Sequence, residues 1–261
     1  VSRGEPRRPN PVDWVGLLLL VFFMTMLITG LHALSTADTA PWAAIIPLAL
    51  AAVGFAALHR TETRHPRPLL DFALFANGNF ALACLLAFLL MFDIMALLLY
   101  YNLFAQAPTG LAMTPIMAGL SLLPLSVALF GFARAAPRLG NLLGIKLMMA
   151  GGALILVLGC AIIWVSLAGA GLPILLLGLF AAGLGIALPF ASAPRIGLAV
   201  LPQVQAGQGS GMLNASSFLG GTVGVTSGGI VFGLDGLPGV LLMVALAAVA
   251  SAALAVRLRA T

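Results

Sequence analysis

The chain has 261 residues, of which 62% are hydrophobic and only 7% charged, with 12 Lys and Arg against 7 Asp and Glu. A soluble domain carries roughly 45–50% apolar and about 25% charged residues. A water-soluble globule, a disordered chain and a disulfide-rich secreted domain are therefore excluded, and the mean hydropathy of +1.15 makes lipid the main solvent. The net charge of +5 is scattered between apolar runs, which points to a membrane surface and not to nucleic acid.

A helix needs about 20 apolar residues to cross a hydrocarbon core of roughly 30 Å. Eight stretches meet that length: Trp14–Leu34, Pro41–Leu58, Asn79–Tyr101, Met113–Phe132, Leu142–Leu167, Pro173–Ala193, Gly209–Leu234 and Leu237–Val256. Lipid leaves free backbone groups without partners, so each is predicted to be helical. Their Leu, Ala, Gly and Met content lacks the alternation of barrel strands. The expected fold is an all-α integral membrane protein of eight transmembrane helices. Trp14–Leu34 is longer than the roughly 7–15 apolar residues of a signal peptide.

Alternating the eight spans puts every cation on one side. Arg3, Arg7 and Arg8 precede the first span; Arg60, Arg64 and Arg67 follow the second; Arg134, Arg138 and Lys146 follow the fourth; Arg195 follows the sixth; Arg257 and Arg259 close the chain. The connections around Asp38, Gln106, Gly169 and Asp235 hold none. The positive-inside rule then places both termini in the cytoplasm, and the expected location is the plasma (inner) membrane.

The longest polar stretch, 59–78, divides the chain into residues 1–58, with two linker helices, and residues 79–261, with six. His59 and His65 lie in that stretch beside Glu62 and read as a solvated loop, not a metal site. Cys84 and Cys160 sit inside apolar runs and read as small hydrophobes. No cofactor is expected.

Several motifs in order carry a resemblance. They are Pro68-Leu69-Leu70-Asp71 with Leu74-Phe75, Asn77, Asn79 and Phe80; Thr114-Pro115 with Ala118-Gly119; Arg134, Pro137, Arg138, Leu139 and Gly140; Gly183, Gly185 and Pro189; and Gly207, Ser210-Gly211, Leu213-Asn214, Gly220-Gly221 and Gly224. Together they resemble the fourteen-helix drug:proton antiporter branch of the major facilitator superfamily, over its C-terminal eight helices. The chain departs from the family pattern at Ala73, Ala76 and Gly78, at Ser217-Phe218, and at Pro137 in the cytoplasmic turn.

The resemblance implies two linker helices plus one six-helix major facilitator bundle. It also implies proton-coupled multidrug or metabolite efflux by alternating access, with lipophilic organic substrates, cationic ones among them. The partners implied are the bilayer, protons, a small organic substrate and an N-terminal six-helix half, which the chain, starting at Val1, is expected to lack. The alternative is a truncated, non-transporting membrane remnant or a helix-binding scaffold. Enzyme signatures are missing: Gly207-Gln208-Gly209-Ser210-Gly211 has no following Lys for a phosphate loop.

Asp93 is the one acid deep inside a span. Lipid disfavours the charged form of a carboxylate, and an intramembrane acid marks a pathway by default. Two readings stand: a proton-responsive group, or a permanently protonated or hydrogen-bonded one. Tyr100, seven residues on, shares its helix face. The pair is expected to line one wall of a cavity, with Asn214 also on the pathway. Arg134, Arg138 and Gly140 are candidates for a cytoplasmic gate loop. Gly220, Gly224 and Gly228 form a small-xxx-small ladder suited to close helix packing.

Overall fold

The computed structural model describes residues 13–35, 41–65, 70–133 and 135–258. Nine α-helices are present among them: α1 (Trp14–Ser35), α2 (Pro41–Glu62), α3 (Gly78–Gln106), α4 (Pro115–Ser121), α5 (Leu123–Ala133), α6 (Ala136–Leu143), α7 (Ile145–Val165), α8 (Leu172–Ala199) and α9 (Ala206–Val256). There is no strand among the described residues. Seven stretches are long and apolar enough to cross a membrane, α4 and α5 together forming one of them.

Local chemistry sets the ends. Asn77 caps α3, its Oδ1 accepting from Asn79 N at 3.1 Å and Phe80 N at 3.3 Å. Thr114 caps α4, with Pro115 in the first turn, where its missing N–H costs nothing. The α4–α5 break falls at Leu122, two residues before Pro124, which cannot donate into the helix ladder. The buried Tyr101 hydroxyl meets Ser121 Oγ at 2.6 Å and ties that break to α3.

The sequence predicts two spans where the structure has the single element α9, of 51 residues. At Gly236 the backbone leaves the helix, with φ 64° and ψ −155°, a conformation open to glycine and two residues ahead of Pro238. A Cβ on Gly239 would lie 2.9 Å from Val231 Cγ1. In a straight helix those residues stand about 12 Å apart along the axis, so α9 is two limbs folded back on each other. The predicted boundary between Leu234 and Leu237 brackets this point.

α3 forms the centre of the bundle and packs against α8 and both limbs of α9. Its inward residues, including Leu90, Ile94, Leu97 and Tyr101, join Leu156 and Ile163 of α7, Leu179 and Ile186 of α8, and Leu237, Val240, Leu241 and Val244 of α9 in one core. α7 and α8 approach through glycines. Cβ atoms on Gly152 and Gly159 would run into Gly185 O and Ala182 N, at 2.9 and 2.6 Å. α1 and α2 pair with each other, and α1 leans on α9. Outward they present Trp14, Leu18, Trp42, Ile45 and Val53.

Candidate functional site

Asp93 lies at the centre of α3 and is 2% exposed. Its carboxylate opens into a small void of about 10 Å³ lined by Leu90 of α3, Met149 and Leu156 of α7, Gly185 and Pro189 of α8, and Ser251 of α9. Asp93 Oδ1 is enclosed without a hydrogen-bond partner. A buried carboxylate without a donor strongly disfavours the charged state.

Tyr100 shares the inward side of α3 but serves another contact. Its hydroxyl donates to Val225 O, and its ring lies 5.2 Å from that of Phe232. Gly228 leaves room for this ring, since a Cβ there would overlap Tyr100 Cε2. Gly220 and Gly224 continue the same seam, where added Cβ atoms would strike the backbone carbonyls of Phe88 and Phe92. The three glycines thus set the α3–α9 distance, and Tyr100 fills the gap that they leave.

Asn214 is exposed and lines a cavity of about 140 Å³ with Met91, Phe190, Pro194, Ser217 and Phe218. A larger cavity of about 370 Å³ shares Met91, Ser217 and Phe218 and extends to Met95, Thr222, Val225 and Thr226, with Ile28 and His32 of α1 closing it. The structure does not bring Asp93, Tyr100 and Asn214 into one cavity. Asp93 opens toward α7 and α8, Tyr100 is packed in the α3–α9 seam, and Asn214 faces the side where the two larger cavities adjoin.

Of the cytoplasmic turn, Arg134 lies outside the described residues. Arg138 is exposed on α6, and Gly140 sits on the same short helix, 3.6 Å from Met148 Sδ when given a Cβ. Cys84 and Cys160 are free and buried. Among the described residues no group of three or more His, Cys, Asp or Glu side chains could hold a metal.

Similar proteins give this geometry its setting. No family model matches the chain. The chain is 35% identical over 242 residues to a probable actinorhodin transporter of Streptomyces coelicolor, covering 88% of this chain and 41% of that protein. It is 29% identical over 230 residues to the multidrug resistance protein Stp of Mycobacterium tuberculosis, covering 86% and 41%. It is 28% identical over 227 residues to the quinolone resistance protein NorB of Staphylococcus aureus, covering 86% and 48%. Over most of its length the chain is thus similar to proteins named as transporters or drug-resistance proteins. It spans less than half the length of these transporter relatives. With its seven apolar helical stretches, it is an integral membrane protein.

Two features of this transporter relative escape a reading of its sequence. The α7–α8 glycine seam was signalled only by spacing: Gly152 and Gly159 are seven apart, as are Gly178 and Gly185. Glu62 reads as a loop acid, yet it is 2% exposed, and its Oε2 accepts from Leu70 N at 3.1 Å, strapping the polar stretch to the foot of α2.

Proposed function

We propose that this chain is the C-terminal portion of a proton-coupled exporter of small lipophilic molecules that works by alternating access. It crosses the plasma membrane eight times with both termini cytoplasmic. Residues 1–58 supply two linker helices, and residues 79–261 supply one six-helix bundle, which moves against an N-terminal half carried elsewhere in the same gene or on a separate chain. The observation that carries the proton-coupled reading is the enclosed carboxylate of Asp93, with Oδ1 unpartnered at the centre of α3. The transporter relatives support the small-molecule cargo.

In this reading Asp93 gains a proton from one side and loses it to the other as the bundle moves. The membrane potential contributes about 2.3 kcal/mol per charge per 100 mV. Tyr100 links that movement to α9 through the Val225 carbonyl, and the seam at Gly220, Gly224 and Gly228 lets the two helices shift in close contact. Asn214 faces the cargo. Arg134, Arg138 and Gly140 form the turn that closes on the cytoplasmic side.

The test uses everted vesicles holding the whole transporter, with a proton gradient driving uptake of a lipophilic dye. Asp93→Asn is expected to reduce gradient-driven uptake to background, while Asp93→Glu retains it. Uptake by the Asn variant at the unaltered rate removes Asp93 from the mechanism. The orientation is tested by a cysteine placed at Arg64. Labelling of that thiol from outside intact cells overturns the arrangement.

A further inference from the structure

The roughly 370 Å³ cavity between α1, α3 and the first limb of α9 falls within the size range of small-molecule sites, roughly 300–1,000 Å³. The three hydroxyls on its α9 wall share one property, and His32 on the α1 side is its other polar side chain. Ser217 Oγ–H donates to Leu213 O at 3.0 Å, Thr222 Oγ1–H to Phe218 O at 2.9 Å, and Thr226 Oγ1–H to Thr222 O at 3.0 Å. Each hydroxyl has spent its one hydrogen on the carbonyl four residues earlier, so what it offers the cavity is lone pairs. The wall is therefore an acceptor surface repeated along one side of α9. The rest of the lining suits an aromatic body. Met91 and Met95 bring polarisable thioethers from α3, and the Phe218 ring stands 73% exposed at the shared edge of the two cavities.

Charge sets the remaining condition. None of the lining residues of either cavity carries a carboxylate. Asp93, the acid deep inside a span, opens on the α7–α8 side of α3, toward Leu156, Gly185 and Pro189. A cation in the larger cavity would meet no counter-charge on this wall. We infer that this cavity binds an uncharged aromatic molecule that presents hydrogen-bond donors, of the phenolic class. As a statement about cargo, the inference rests on the exporter reading; as a statement about binding, it is tested without transport.

The experiment measures binding of three matched probes to the full chain in detergent, with no proton gradient: 2-naphthol, 2-methoxynaphthalene, and a trimethylammonium naphthalene. One donor hydrogen bond predicts that naphthol binds roughly 3–10-fold more tightly than its methyl ether, with the cation weakest. Thr222→Val with Thr226→Val is expected to bring naphthol and ether within about twofold of each other, while Thr222→Ser with Thr226→Ser keeps the gap. A melting curve of each variant confirms that it is folded. Equal binding of naphthol and ether to the unaltered chain overturns the inference, as does a cation that binds as tightly as naphthol, or no binding of any probe. Proton-driven export is read separately in vesicles, so its failure leaves this result standing.

Discussion

The α1–α2 hairpin and the bundle core are built from similarly apolar helices and are used in opposite ways. In their most apolar stretches, 11% of α1 and 22% of α2 is buried, against 56% in each of α3 and α8. The hairpin keeps its large side chains outward, as at Ile45, Val53 and Trp42. The core places glycines along two helix seams, α3–α9 and α7–α8, where the hairpin has Gly30 and Gly54 between α1 and α2 alone. Lipid tails solvate an outward Ile as well as a neighbouring helix does, so apolarity alone binds no two helices together. Close backbone approach does so, and only the core has it along several seams.

The largest effect expected from that contrast is at the α3–α9 seam. Gly220→Val and Gly224→Val push a side chain into the carbonyls of Phe88 and Phe92, which cannot move without moving α3. Each is expected to destabilise the fold by roughly 3 kcal/mol or more, seen as loss of the monodisperse peak in size-exclusion chromatography. Gly211→Ala on the same helix meets nothing within 4 Å, and the peak should stay unchanged or sharpen. A similar loss at both kinds of site would erase the distinction between packed and open glycines.

Next in size is Glu62, where the hairpin joins the bundle. Glu62→Ala removes the acceptor for Leu70 N, at about 2 kcal/mol for a partly buried N–H left without its acceptor. Trypsin should then cut after Arg64 faster than in the unaltered chain. An unchanged cleavage rate would mean that the strap is held by other contacts. Tyr101→Phe takes one hydrogen bond from the α4–α5 break and should lower stability by about 1 kcal/mol, read from the melting temperature. Smallest is Ile45→Ala on the outer face of α2, where Ile45 is 62% exposed. Its expected change is within about 0.5 kcal/mol. A clear drop in melting temperature there would show that this face is covered by protein rather than lipid.

Much of the fold was legible because its determinants are local. Apolar run length gave the spans and a boundary between Leu234 and Leu237, where the backbone turns at Gly236. The candidate site was less legible. Asp93 stood out as a lone acid, and the Gly220–Gly224–Gly228 ladder was visible as spacing. The side of α3 to which Asp93 turns was not, nor was the separation of Tyr100 from Asn214, nor the burial of Glu62.

The chain alone thus determined that this is a helical membrane protein, because span length follows from one residue after another. Only the tertiary structure decided which helices meet, that Asp93 faces α7 and α8, and that hydroxyls line the cavity beside α1. The physical reason is that a helix apolar on every side carries no periodic signal for its buried face. That face is chosen by where glycines let a second backbone come near.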